Sequence, residues 1–206
     1  MRLRTGFVGL AMLALAACSG TPGPTPEPSL PAPTEPVIAP SELAAQKQGA
    51  GIEECPHSDP DALAVAQGLP DLVLDCLGGG RQVRIAGLRG KPMMINVWAQ
   101  WCGPCQDEAP HISEVAASNK SKMIILGIDY DDPRPDRAIE FARVLGWRFP
   151  QLVDQDRALS GPLQITGPPQ TFFVRPDGTI AYRHTGPFDS AVEIKDQAKR
   201  YLGVTL

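Results

Sequence analysis

No cluster of lysine and arginine occurs anywhere in these 206 residues. That leaves no electrostatic footprint for nucleic acid or for an anionic membrane surface, and a formal net charge of −4 implies only solubility. Histidine is scarce, with three in the chain. His57, His111 and His184 are scattered relative to Cys55 and Cys76, without the spacing of a four-ligand zinc site, so neither metal nor cofactor is expected. No internal repeat is visible. The apolar run at residues 6–17 falls short of the roughly 20 residues needed to cross a bilayer core. One compact domain is the expectation at this length.

That same apolar run follows Arg2 and Arg4 and ends in Leu15-Ala16-Ala17-Cys18. A positive n-region, a short apolar h-region and small residues at the cut describe a secretory signal over residues 1–17. The ending resembles a bacterial lipobox, whose cysteine is acylated and becomes the new N-terminus. The alternative is an ordinary signal peptide with an incidental cysteine. Removing Arg2 and Arg4 leaves 17 basic residues against 23 acidic ones, a net charge of −6. Residues 19–40 hold eight prolines, and alternating prolines favour a semi-rigid polyproline II spacer. Residues 18–52 are therefore expected to be lipidated cysteine plus linker, and residues 53–206 the folded domain. Residues 41–51 suit either a frayed helix or more linker.

In the globular part, residues 72–76 and 82–85 read as short strands across the turn Gly78-Gly79-Gly80. The nearly continuous apolar runs PMMINVW (92–98) and MIILGID (123–129) suit central strands covered on both faces. Helices are expected over 102–118, over 135–145, where Pro135 suits the first helical position and Gly146 ends the element, and over 190–202, opened by the capping box Ser190-x-x-Glu193. Residues 171–175 and 179–184 form a hairpin across Pro176-Asp177-Gly178. Strand–helix–strand–helix followed by a hairpin and a helix implies an α/β sheet with both faces covered.

Export changes how the cysteines are read, because thiols persist as disulfides outside the cytoplasm. With Cys18 assigned to lipid, Cys55, Cys76, Cys102 and Cys105 remain, and four cysteines allow three pairings. Trp101-Cys102-Gly103-Pro104-Cys105 falls where an apolar strand hands over to a helix. A helix N-terminus offers free N–H donors and a positive dipole end, which stabilise the reactive thiolate. Cys102 is expected to be the exposed nucleophile. Cys105, one turn on, is expected to be buried and to resolve the mixed disulfide. Cys55 and Cys76 are then expected to form a structural disulfide, the alternative being two buried free thiols.

The stretch from Asn96 through Trp101-Cys102-Gly103-Pro104-Cys105 to Glu108-Ala109-Pro110 closely resembles the active-site segment of the TlpA/ResA/CcmG (DsbE) branch of the thioredoxin superfamily. Gly167-Pro168-Pro169-Gln170-Thr171-Phe172-Phe173-Val174 resembles that family's cis-proline loop. Segments 127–132 and 149–154 resemble those that bracket the branch's extra helix. The resemblance implies a thioredoxin-like fold with a central mixed sheet, helices on both faces, the extra helix insertion and an N-terminal strand extension. It implies that Cys102 and Cys105 are the redox pair, Pro169 the cis-proline, Pro110 the proline that kinks the active-site helix, and Glu108 the acidic helix residue. Glu108 shares a helix face with Cys105, where a partly buried carboxyl has a raised pKa and can relay protons. Trp101, Gly103, Pro104 and Pro168 are the expected substrate-contacting residues. Cys55 and Cys76 lie outside the family motif.

The function that follows is protein thiol–disulfide exchange by a monomer on the extracytoplasmic face of a bacterial membrane, held there by lipid on Cys18. Its partners would be protein dithiols or disulfides and a membrane redox partner. The resemblance leans towards a reductase of the cytochrome c maturation type, with a disulfide-forming oxidase as the alternative. A peroxiredoxin is a weaker reading, because Cys102 lacks a Pro-x-x-x-Thr-x-x-Cys setting. A non-catalytic lipoprotein module is another, against which Cys102, Cys105 and Pro169 argue.

Overall fold

The computed structural model describes residues 38–206, so Cys18, the expected signal segment and most of the proline-rich run lie outside the described residues. Seven strands form one mixed sheet: β1 (Val73–Cys76), β2 (Gln82–Arg84), β3 (Met93–Trp98), β4 (Ile124–Tyr130), β5 (Gln151–Asp154), β6 (Gln170–Val174) and β7 (Ile180–Thr185). Their spatial order is β2-β1-β5-β4-β3-β6-β7. The three central strands β5, β4 and β3 run parallel, and every other pairing is antiparallel. Both parallel runs expected to be covered on two faces are so: all of β3 is buried, and β4 is buried from Ile125 onward.

Among the described residues there are also five α-helices, α1 (Pro40–Ala50), α2 (Gly103–Ser118), α3 (Pro135–Val144), α4 (Ser160–Leu163) and α5 (Ala191–Leu202), and a 3-10 turn at Ile85–Gly87. Side chains alternate across a strand, so Met94 and Trp98 join a core with α2, α3 and α5, while Met93, Ile95 and Val97 join a second core with Leu159 and Leu163. Helices thus lie on both faces, unequally. The first face carries α1, α2, α3 and α5. The second has the single-turn α4 and the 3-10 turn Ile85–Gly87, with Leu69 and Leu88 from irregular backbone completing the cover. Helix α3 is the insertion between β4 and β5, and α5 opens with the capping box, the Ser190 side chain accepting from Glu193 N–H at 3.2 Å.

The folded unit starts earlier than residue 53. It includes α1 from Pro40, in a stretch the sequence leaves open between a frayed helix and more linker and that the expected boundary at residue 53 puts outside the domain. Helix α1 has no apolar stripe, so periodicity hides it. It packs on the core that includes α3 through Leu43 and Ala50, while the buried Lys47 donates to Glu54 and the Gly79 carbonyl. Gly51, in the left-handed region, ends it with two backbone hydrogen bonds of the kind that closes helix C-termini. Among the described residues no helix is long and apolar enough to cross a membrane.

Cys55 and Cys76 are joined in a disulfide, which ties the segment after α1 to the last residue of β1. It closes a loop with a sequence separation of 21, for which the chain-entropy picture gives about 3 kcal/mol. Replacing both cysteines with serine is expected to lower unfolding free energy by about that amount in a urea titration of the full chain. A loss below ~0.5 kcal/mol would show that the crosslink does not constrain the unfolded state.

Candidate active site

The site is built at the C-terminal end of β3. Trp98 closes the strand, and Ala99 to Trp101 carry the chain over to α2, whose N-cap is Cys102. Cys102 has extended backbone (φ −83°, ψ 106°), and its Sγ accepts from the Cys105 N–H at 3.2 Å. The Cys102 sulfur therefore occupies the place that a serine or aspartate oxygen takes at an ordinary N-cap, against otherwise unsatisfied helix donors. Pro104 fits the first turn because it has no N–H to lose there. Cys102 and Cys105 form a disulfide.

The expectation of an exposed Cys102 needs correction. Cys102 is 4% exposed and Cys105 0%. In the disulfide state the Cys102 sulfur lies inward, in the core cluster with Trp98 and Ala99. What surrounds it is open: Trp101 is 49% exposed, Gly103 and Pro104 are exposed, and a Cβ on Gly103 would meet nothing within 4 Å. A partner would reach a narrowly accessible sulfur through an exposed rim.

The approach loop is clamped from the segment that follows β4. Gln100 N–H donates to Asp132 Oδ2 at 3.1 Å, and Trp101 Nε1–H donates to the Asp131 carbonyl at 3.0 Å. Gln106 Nε2 returns to the Gln100 carbonyl at 2.9 Å. Trp98 beneath is fixed by its Nε1–H donating to Gln151 Oε1 at 3.0 Å and by stacking on Phe141. Gly127 makes this possible, since any Cβ there would collide with the Gln151 amide and the Trp98 indole nitrogen.

Register places the proline loop at the same end of the sheet. Val97 pairs with Gln170 and Asn96 with Thr171, so Pro169 comes level with the end of β3, just before the cysteine loop. The Pro168–Pro169 peptide is cis. Pro169 is buried and Pro168 half-buried.

Glu108 is 0% exposed. Its Oε1 accepts from Asn96 Nδ2–H at 2.8 Å and its Oε2 from the Phe188 N–H at 3.1 Å. Burial pushes its carboxyl up to about 7, against the opposing pull of those two donors. Asn96 also donates to Thr171 Oγ1 at 3.0 Å, which couples the active-site helix, β3 and the strand after Pro169. The acid is thus placed by three elements, with its pKa near neutrality.

Sequence reasoning left Asn96, Thr171 and the Asp129–Asp132 pair without a role. Asn96 had a visible signal, as the one polar residue in a strand buried on both faces. Asp129 pairs in register with Trp98, both of its carboxylate oxygens are buried without a hydrogen-bond partner, and burial together with the neighbouring Asp132 holds its pKa well above the carboxylate range. Among the described residues no group of His, Cys, Asp and Glu is arranged to hold a metal ion.

A family model described as the AhpC/TSA family matches residues 65–183. The thiol:disulfide interchange protein DsbE of Yersinia pestis is 36% identical over 118 residues, which is 55% of this chain and 61% of that protein. The chain therefore spans about three fifths of that relative's length. The thiol-disulfide oxidoreductase ResA of Bacillus anthracis is 26% identical over 147 residues, 70% of this chain and 80% of that protein. Among solved structures, a secreted Mycobacterium tuberculosis disulfide oxidoreductase described as homologous to Escherichia coli DsbE superposes with a TM-score of 0.56 at 26% identity, covering 63% of this chain and 96% of that one.

Proposed function

The chain belongs to the AhpC/TSA family, among the DsbE- and ResA-like thiol–disulfide oxidoreductases, and from that premise we propose that it exchanges disulfides with protein substrates through Cys102 and Cys105. The observation that carries this is the Cys102 sulfur held against the N-terminus of α2, with Cys105 sealed behind it and the buried Glu108 carboxyl one turn further on. In the reductive direction Cys102 thiolate attacks a substrate disulfide, forming one S–S bond and releasing one substrate thiolate. Cys105 then attacks Cys102, the internal disulfide closes, and the second substrate thiolate leaves. Two electrons pass to the substrate. Glu108 supplies or takes the proton at Cys105, and Trp101, Gly103, Pro104, Pro168 and Pro169 form the surface a substrate strand meets.

The chain is proposed to work as a reductant of the cytochrome c maturation type, receiving electrons from a membrane donor. A carboxyl beside the pair disfavours thiolate, unlike the strong oxidant DsbA, whose reduced form is stabilised. The test is a dithiothreitol redox titration of the Cys102/Cys105 couple. A potential near that of thioredoxin, about −270 mV, is expected. A value above about −180 mV would assign the oxidase reading instead.

Lipid on Cys18 is proposed to hold a monomer on the extracytoplasmic face of the membrane, with the signal over residues 1–17 removed and the proline-rich segment as spacer. Cys18→Ser is expected to abolish metabolic labelling with radioactive palmitate and release the protein from the membrane fraction. Labelling equal to wild type would exclude Cys18 as the lipid site.

A further inference from the structure

The sulfur of Cys76 has an unusual neighbour. Lys47 Nζ donates to Cys76 Sγ at 3.2 Å, to Glu54 Oε1 at 2.9 Å and to the Gly79 carbonyl at 2.8 Å. The Lys47 side chain is 5% exposed, whereas its carboxylate partner Glu54 is 60% exposed. A buried ammonium is thus left with one largely hydrated counter-ion and a sulfur that, while in a disulfide, carries no charge. Burying a cation without full pairing is costly. If the disulfide were reduced, Cys76 would offer that cation a thiolate in direct contact, and a neighbouring lysine is one of the environments that lowers thiol pKa.

We propose that Cys55–Cys76 is a second, reducible thiol–disulfide site, whose co-reactants are low-molecular-weight thiols and whose reduced state is held by Lys47 as a positioning residue paired with the Cys76 thiolate. The site lies in a different part of the sheet from Cys102, at the junction of α1, the segment after it and β1. An open depression of about 400 Å³ lined by Ile52, Glu54, Gly78 to Gly80 and Lys47 brings small molecules up to the lysine that touches Cys76 Sγ, with neither cysteine in its wall. Access through a depression of this size suits a small thiol rather than a folded protein, because both cysteines are buried.

The lysine also sets which sulfur is attacked. The better-stabilised thiolate leaves faster, so an incoming thiolate bonds to Cys55 Sγ and the Cys55–Cys76 bond breaks, with Cys76 departing as thiolate beside the Lys47 ammonium. A second thiol then attacks the mixed disulfide and displaces Cys55, which takes up one proton. Two small thiols are oxidised to one disulfide, Cys55–Cys76 is reduced to a thiol and a thiolate, and one proton goes to solvent. Because a stabilised reduced form raises the reduction potential, this disulfide is easier to reduce than one buried among uncharged groups.

The experiment uses the full chain with Cys102→Ser and Cys105→Ser, so that it does not depend on the exchange activity proposed above. The protein is equilibrated in glutathione buffers, quenched with an alkylating agent under denaturing conditions, and its Cys55/Cys76 state is read by mass spectrometry with peptide mapping. Lys47→Met is expected to lower the equilibrium constant for reduction at least tenfold, which is about 30 mV for a two-electron couple, while Lys47→Arg stays within threefold of the parent. Glu54→Gln, which removes the competing carboxylate from an exposed position, is expected to raise the constant at least threefold. The glutathione adduct should map to Cys55. A Glu54→Gln constant within threefold of the parent, or an adduct on Cys76 in place of Cys55, overturns the proposal even where Lys47→Met does not fold.

Discussion

Replacing Cys102 with serine is expected to cut disulfide-exchange turnover by more than ~10³-fold, the scale on which loss of a nucleophile acts, while Cys105→Ser leaves a stable mixed disulfide on Cys102. Serine matches the cysteine in shape and can still accept the Cys105 N–H that the sulfur now accepts, so the N-cap and the helix survive. What is lost is the thiolate: a hydroxyl stays protonated at neutral pH and forms no disulfide. In Cys105→Ser the first attack proceeds, but no second sulfur lies behind Cys102 to release the substrate. Insulin reduction assays and non-reducing gels on both variants read the two effects separately. Turnover by Cys102→Ser within tenfold of wild type, or a mixed disulfide formed on Cys105 in the Cys102→Ser variant, would be incompatible with the order of attack assigned to the pair.

Glu108→Gln is expected to make stability less dependent on pH between about 4.5 and 8. The folded-state pKa of Glu108 is raised from 4.5 to about 7. The folded chain therefore binds more protons at this site than the unfolded chain between those values. Wild-type stability carries no penalty from this group below the unfolded pKa, falls as pH rises through the window, and bears the full cost above pH 7. A difference of about 2.5 units corresponds to about 3 kcal/mol. The glutamine has no charge to bury, although its amide can satisfy only one of the two donors now facing the carboxylate. Relative to wild type, Glu108→Gln should thus gain stability from pH 5 to pH 8 by roughly 3 kcal/mol, measured by urea denaturation at each pH. Parallel curves across the range would mean that Glu108 ionises in the fold much as it does in water. The same substitution should remove an inflection near pH 7 from the rate at which Cys105 closes the internal disulfide, if Glu108 carries that proton.

The parts of this arrangement that could be read from the chain are those encoded locally. The apolar runs of β3 and β4, Pro135 and Gly146 bounding α3, and the Ser190 box opening α5 each sit within a residue or two of where periodicity and caps put them. The pairing of Cys55 with Cys76 is legible by parity on the expectation of export. What was hidden depends on partners far away in sequence. Helix α1 has no apolar stripe and is held by a lysine bonded to residues 54, 76 and 79. Strand β5, at four residues, is too short for a period and exists because β4 and β1 offer edges on either side. The near-complete burial of Cys102 follows from how the Trp98 and Ala99 layer packs, which no spacing of four letters reports. Glu108 was legible as a position, but its environment depends on Asn96 and Phe188, which are 12 and 80 residues away.

The hairpin of β1 and β2 has a consequence for solubility. Without it, β5 would end the sheet with a row of free N–H and C=O groups, next to the apolar Leu152 and Val153, and such an edge invites pairing with another chain. Strand β1 covers β5 through Asp75↔Val153 and Cys76↔Leu152, and β2 becomes the new border. That border is three residues long and carries Arg84, locked in a two-pronged pair with Asp71. It is short, charged and poorly suited to templating a neighbour. The crosslink at Cys76 fastens this cover at the residue where it meets β5, so it guards against self-association as well as unfolding: a chain that lost both cysteines would first bare an adhesive border, and its earliest failure would be aggregation rather than melting.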